Sequence, residues 1–260
     1  MQYGICGLSL IPMRSEASDR SEMVNQVLFG EIFEIVQAQK KWSYVRLRHD
    51  GYEGWLDNKQ ITPLESKFAE EHLQKEIPVV GEMIEMISHH TKSEYFPIYL
   101  GSLLPGYNAQ SKELLINEEK YEYSGPLCSR SASSREILEE MAHWYLHTPY
   151  LWGGRSICGI DCSGYTQMVY RLAGHSIPRD SPEQVQQGLT LSFIDEAEPG
   201  DLAFFDNEEG DIVHVGIILR NNYILHASGK VRLDRIDQQG IFNRELNTHT
   251  HKLRVIKKLL

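Results

Sequence analysis

The run Tyr150-Leu151-Trp152-Gly153-Gly154, followed by Asp161-Cys162-Ser163-Gly164-Tyr165, decides how the second half of the chain is read. Its glycines let backbone approach another group closely. A helix is expected to begin near Asp161-Cys162 and to run to Leu172, with Gly174 past its end. A cysteine in that place meets unpaired backbone N–H groups and the positive end of the helix dipole, which favour its thiolate. The ordinary fate of a cysteine is that of a small buried hydrophobe. The glycine-rich approach shifts the reading of Cys162 toward a nucleophile.

Working outward, the pattern Ser133-Ser134-Arg135-Glu136 is a capping box, and Ile137, Leu138, Met141, Trp144 and Tyr145 continue at helical spacing until Thr148-Pro149. Downstream, Ser181-Pro182-Glu183-Gln184 announces a further helix, closed by Gly188. Beyond Pro199-Gly200 the pattern changes to strands over 201–205, 212–219 and 223–227, with 253–256 as a further candidate. Helices first and antiparallel strands after them define an α+β domain over 129–260.

Two strands of that domain each carry a histidine, His214 in Ile212-Val213-His214-Val215-Gly216-Ile217 and His226 in Ile224-Leu225-His226-Ala227-Ser228. A lone histidine among apolar strand residues is ordinarily a satisfied core group. Together with Cys162, the pair matches the nucleophile, base and orienter of covalent catalysis. Strand alternation then dictates the turn between them. A two-residue loop at Asn221-Asn222 would oppose Ile217 to His226 and send the histidines to opposite faces. A loop of three, Arg220-Asn221-Asn222, opposes Gly216 to His226 and puts both imidazoles on one face.

The first half reads differently. From Tyr3 to about Leu64 short strands alternate with turns; in Trp42 to Arg48 the side chains of Ser43, Val45 and Leu47 share one face, and Asp50-Gly51 follows as a turn. Residues 65–76 can form a short helix, and 77–127 are again broken apolar runs punctuated by Gly81, Gly101, Pro105-Gly106 and Asn117. The division is into 1–64, a small all-β unit, 65–128, a second β-rich unit, and 129–260, with small residues from Ser129 to Ser134 as the linker.

Two resemblances attach to these residues. Met13-Arg14-Ser15-Glu16-Ala17-Ser18, Leu28-Phe29-Gly30-Glu31, Trp42-Ser43-Tyr44-Val45 and Gly51-Tyr52-Glu53-Gly54-Trp55-Leu56 look like a bacterial SH3-like domain, and 65–128 is a candidate for a second, diverged barrel. The Tyr-x-Trp-Gly-Gly run, Asp-Cys-Ser-Gly-Tyr, Pro199-Gly200-Asp201-Leu202, His-Val-Gly-Ile and Leu-His-Ala-Ser resemble the NlpC-type cell-wall cysteine peptidases over about 134–260. That resemblance implies a papain-like α+β catalytic domain, with Cys162 attacking a peptide carbonyl, His214 taking the thiol proton and His226 fixing the imidazole. The combination is similar to the γ-D-glutamyl-L-diamino acid endopeptidases, which act on murein peptides with a free N-terminal L-alanine. In that subgroup the SH3-like domain closes one end of the cleft. The resemblance then assigns substrate binding to Glu16, Tyr52, Tyr150, Asp161, Ser163, Asp180 and Ser181, with Tyr150 helping to hold the oxyanion or substrate. Ser181 also suits an N-cap, Asp180 a turn and Glu16 a solvated surface.

Composition narrows the partners. The chain has 260 residues, 41% hydrophobic and 24% charged, ordinary values for a globular protein. A formal charge of −10 without a Lys/Arg cluster disfavours nucleic acid. No apolar run is long enough to span a membrane, and Met1 to Leu10 lacks a basic leader, which favours the cytoplasm. Cys6, Cys128, Cys158 and Cys162 lack a framework spacing, so they are expected as thiols. His143 and His147, four apart on the expected helix, suit a metal poorly, because Trp144 stands where a metallopeptidase has Glu. His89-His90 and His249-Thr250-His251 read as surface features. The expectation is a cytoplasmic cysteine endopeptidase of murein-peptide recycling, acting on tri- or tetrapeptides with no cofactor or metal. The alternatives are an inactive cell-wall-binding module and a thiol acyltransferase of the same superfamily.

Overall fold

The computed structural model describes residues 2–90, 92–128 and 135–260. Two compact units divide the chain, Met1–Ser129 and Arg130–Leu260.

The first unit begins with seven antiparallel strands, β1 (Tyr3–Ile5), β2 (Leu10–Arg14), β3 (Met23–Leu28), β4 (Ile32–Ala38), β5 (Trp42–Leu47), β6 (Glu53–Asp57) and β7 (Thr62–Leu64). Their order is β3-β2-β6-β5-β4-β1-β7. The alternation expected of β5 holds, with Ser43, Val45 and Leu47 buried. Val45 and Leu47 join Cys6, Ile11, Met13, Val27, Phe33 and Leu56 in one core. Helix α1 (Ser66–His72) then leads to β8 (Ile84–His89), β9 (Glu94–Tyr99), β10 (Glu113–Ile116) and β11 (Glu119–Glu122), ordered β10-β11-β8-β9. The two sheets meet through a shared cluster in which Tyr3, Ile5, Phe29 and Leu64 pack with Ile87, Ile98, Leu114 and Tyr121. His89, expected at the surface, is buried with its ring edge-on to Tyr121 at 4.4 Å.

In the second unit the expected capping residues Ser133 and Ser134 lie outside the described residues. Helix α2 (Arg135–Trp144) buries Leu138, Met141 and Ala142. It ends before the expected stop: His147 has φ +72°, so His143 and His147 do not share a helix face. The short hairpin β12 (Arg155–Ser156) and β13 (Gly159–Ile160) precedes α3 (Cys162–Leu172), every residue of which is buried. Helix α4 (Ser181–Gln184) is a single turn and stops short of Gly188.

The sheet contains β14 (Leu189–Leu191), β15 (Leu202–Asp206), β16 (Ile212–Leu219), β17 (Tyr223–Ser228), β18 (Lys230–Asp237), β19 (Gly240–Asn243) and β20 (Thr248–Lys258). The order is β14-β20-β15-β16-β17-β18-β19, and β19 pairs back onto β20, so β15 to β20 close on themselves. Strand β20 starts five residues before the expected 253–256 segment, which draws His249 and His251 into the sheet. Three residues, Arg220–Asn222, connect β16 to β17, and Gly216 opposes His226. This is the register that alternation required. Among the described residues, no helix is long and apolar enough to cross a membrane.

Candidate active site

Asp161 builds the turn that presents Cys162. It occupies the N-cap of α3 in an extended conformation (φ −93°, ψ 178°), and its Oδ1 accepts the Gly164 N–H at 2.7 Å. Oδ2 accepts the Gly153 N–H at 2.8 Å, tying the glycine loop to the helix start. Arg179, 2% exposed, donates Nη2 to Oδ2 at 2.6 Å and Nη1 to Oδ1 at 3.0 Å. These four donors fill the lone pairs that a carboxylate offers. Asp161 therefore holds the turn before Cys162 together, with Arg179 supplying the countercharge. Glycine is required where the turn closes: a Cβ on Gly164 would sit 2.4 Å from the Gly154 carbonyl oxygen.

The helix-terminal position does not leave Cys162 as a ready thiolate. Burial, and then the Asp161 carboxylate, push its pKa up to about 12, against the N–H groups of Val215 and Ser163 and the charge of Arg179, which act the other way. The expected dipole effect is thus outweighed by desolvation and a neighbouring negative charge. The sulfur's contact with the Val215 N–H, one residue past His214, sets the thiol against the strand that carries that imidazole.

His214 Nε2 and His226 Nδ1 lie 2.8 Å apart, and His226 Nε2 lies 3.0 Å from Asp234 Oδ2. All three residues are buried. Burial, followed by the neighbouring His226 and His251, holds His214 well below the ordinary imidazole range. Burial therefore disfavours the charged form of both groups. Arg232, directly opposite His226 in the β17–β18 pair, grips Asp234 through both Nε and Nη2. Asp234, Arg232 and Arg179 are absent from the sequence reading. A tight turn at Gly229 was the local signal for the first two, because it alone sets which β18 residues face His226.

His251 is also drawn into the site. Its ring stacks on that of His214 with centroids 4.3 Å apart and planes 27° from parallel, and Phe205 stands against both. Ring nitrogens of His214, His226 and His251 come within 4.8 Å of one another. A metal needs lone pairs that converge at roughly 2.0–2.1 Å. Imidazole lone pairs lie in the ring plane, and those of two stacked rings run side by side. The cluster is built as a ring stack.

The other expected binding residues fall as follows. Tyr150 is half-buried, and burial, then repulsion from Cys162 and Asp161, pushes its hydroxyl up to about 12, so it stays a donor. Ser163 is buried and its Oγ accepts from Arg179 Nη1 at 3.0 Å. Asp180, not Ser181, takes the N-cap position of α4, and its carboxylate lies 3.8 Å from Arg179. Ser181 is the buried first residue of that turn. In the first unit, Glu16 is exposed in the turn after β2, while Tyr52 is half-buried against the strand core.

A closed antiparallel sheet packed on a helix that begins at a cysteine, with a histidine pair on adjacent strands, is the architecture of one peptidase class. The NlpC/P60 family pattern matches residues 147–250, and the pattern described as the bacterial dipeptidyl-peptidase Sh3 domain matches 13–61. The chain belongs to the NlpC/P60 family of peptidases. It is 30% identical to the gamma-D-glutamyl-L-lysine dipeptidyl-peptidase of Bacillus subtilis (strain 168), over 78% of this chain and 71% of that one. It is 28% identical to dipeptidyl-peptidase 6 of Lysinibacillus sphaericus, over 90% and 92% respectively. The crystal structure of an NlpC/P60 family protein from Bacillus cereus ATCC 10987 shares the fold, with a TM-score of 0.80 at 19% identity over 99% of each chain.

Proposed function

We propose that the protein is a cysteine peptidase that cleaves the γ-D-glutamyl-L-diamino acid bond of short murein peptides. The observation that carries this reading is a thiol at a helix start, set against the strand whose His214 is hydrogen-bonded to His226. Cys162 Sγ attacks the γ-carbonyl carbon as His214 takes its proton. The tetrahedral oxyanion is met by donors, among them the protonated Tyr150 hydroxyl. Collapse breaks the C–N bond, His214 returns the proton to the departing amine, and a thioester remains on Cys162. Water, deprotonated by His214, then releases the acyl product and the thiol.

Substrate choice is read from the relatives' names. A dipeptidyl-peptidase removes a dipeptide from an amino terminus, so it must read that terminus, and a charged amine leaving water needs a carboxylate partner. Asp180 is our candidate in the peptidase unit; Glu16, Tyr52 and Ser181 are further candidates to be tested one at a time. Recognition of a free amine suits short peptides released from the wall, and we place the reaction in their recycling inside the cell.

Mass analysis of products from murein tri- and tetrapeptides carrying lysine or diaminopimelate tests the reading. Release of L-alanyl-γ-D-glutamate by the wild type, and none by Cys162→Ala, is expected. Unchanged release by Cys162→Ala would sink the cysteine mechanism. Equal cleavage of free and N-acetylated peptides would sink amine recognition. Incorporation of an added amine acceptor into the product in preference to water would turn the assignment to an acyltransferase.

A further inference from the structure

We propose that Asp234 is a positioning residue that sets the protons of both site histidines, so that His214 presents its Nδ1 lone pair as the base. The argument runs inward from the carboxylate. An ionised carboxylate only accepts hydrogen bonds. Burial alone would raise the Asp234 carboxyl, but hydrogen bonds from His226 and Arg232 more than offset it and hold it below its ordinary range. At 3.0 Å from Asp234 Oδ2, His226 Nε2 must therefore carry the proton. A neutral imidazole has one N–H, so His226 Nδ1 is an acceptor. The 2.8 Å contact between that atom and His214 Nε2 then requires the proton on His214 Nε2. His214 Nδ1 is left with the lone pair.

Without Asp234 both imidazoles can exchange tautomers in concert. His226 would donate from Nδ1, His214 Nε2 would accept, and the His214 proton would move to Nδ1, where it blocks the base. Hydrogen-bonded partners of this kind fix tautomer and ring orientation in other histidine sites. Arg232 completes the device. Its two-pronged grip on Asp234 fixes the carboxylate plane and keeps the group ionised. As His214 becomes imidazolium during the reaction, its Nε2–H keeps the same acceptor, so no reorganisation is needed at that end.

Two arms test the proposal on the full chain. The first is a nitrogen-15 spectrum of the imidazoles at neutral pH, which needs no substrate. The expected result is Nε2–H with unprotonated Nδ1 for both His214 and His226, and loss of that single pattern in Asp234→Ala. A wild-type His214 protonated at Nδ1 overturns the proposal. The second arm is kinetic and rests on the cysteine-peptidase reading. Asp234→Ala is expected to lower kcat by about 10²-fold or more with KM little changed; a wrong tautomer in a serine peptidase costs about 10⁴. Asp234→Asn, whose amide N–H can donate to His226 Nε2 and so favour the opposite tautomer, is expected to lose at least as much. Asp234→Ala turnover within about twofold of wild type overturns the proposal. If Cys162→Ala stays active, the peptidase reading fails while the spectrum still judges the tautomers. If Asp234→Ala does not fold, the wild-type spectrum decides alone.

Discussion

Gly216 lies directly opposite His226 in the β16–β17 hairpin, and no side chain fits between them: a Cβ there would be 2.9 Å from His226 Cβ and 2.7 Å from Ile224 Cδ1. His214, two residues before Gly216 on the same strand face, reaches diagonally across the bare glycine to His226. Gly216→Ala should therefore push His226 off its hydrogen bond. The expected outcome is a loss of kcat of at least about tenfold for a stability cost of only about 1–3 kcal/mol. Thermal unfolding and kinetics on the same preparation check it; unchanged kcat would show that the pair tolerates the methyl.

Cys162→Ala should remove the covalent path and reduce turnover by several orders of magnitude, by analogy with a loss of about 10⁶ in subtilisin. Cys158→Ala should stay close to wild type, because that exposed thiol sits in the β12–β13 turn. Reversal of the two results would reassign the nucleophile.

Arg179→Leu should destabilise the second unit by about 3–5 kcal/mol, since it leaves the buried Asp161 carboxylate without its countercharge. Arg179→Lys should recover little, because an ammonium cannot span both carboxylate oxygens. Denaturant midpoints measure both; a Lys variant as stable as wild type would show that charge alone suffices.

Stability should depend on pH through the histidine cluster. Burial, then His226, lowers His251 to about 4, burial also lowers His226, and His214 lies well below 6.5. Each folded-state value is below the unfolded one, so between them the unfolded chain binds more protons. The native state is therefore fully favoured above about pH 6.5 and loses stability as pH falls toward about 4. Melting temperature should drop across that window, and less steeply in His251→Phe. A flat profile in the wild type would show that the imidazoles are not held neutral.

His251→Phe, which keeps a ring against His214, should retain most of kcat, whereas His251→Leu should lose about tenfold through a freer base. Equal kcat for the two would remove the stack from the mechanism.

The proposed trio of Cys162, His214 and His226 was legible because its parts are local. Cys162 follows a glycine-rich approach, and the requirement that two histidines share a face fixes the three-residue loop at Arg220–Asn222. Arg179 and His251 were not, because long-range packing brings them in, whereas Asp234 depended on the register set by the turn at Gly229. Arg179 meets Asp161 from 18 residues away, and His251 reaches His214 only because β20 runs longer than its apolar core, with polar residues from Thr248 to Lys252. Strand pairing holds such segments in the sheet despite weak local propensity, and alternation is a poor guide where both faces are partly wet. The same long-range packing buried His89 against Tyr121.

The burial of Cys162 has a practical consequence for labelling. Alkylating and oxidising reagents act on thiolates that they can reach, so general thiol chemistry will find Cys158 first, four positions upstream and exposed. A stoichiometric count of modified thiols would then report Cys158, whose modification the proposed mechanism expects to leave activity intact. On the proposed mechanism, a reagent carried in by substrate-like binding, which lets His214 take the proton as the bond forms, reaches Cys162.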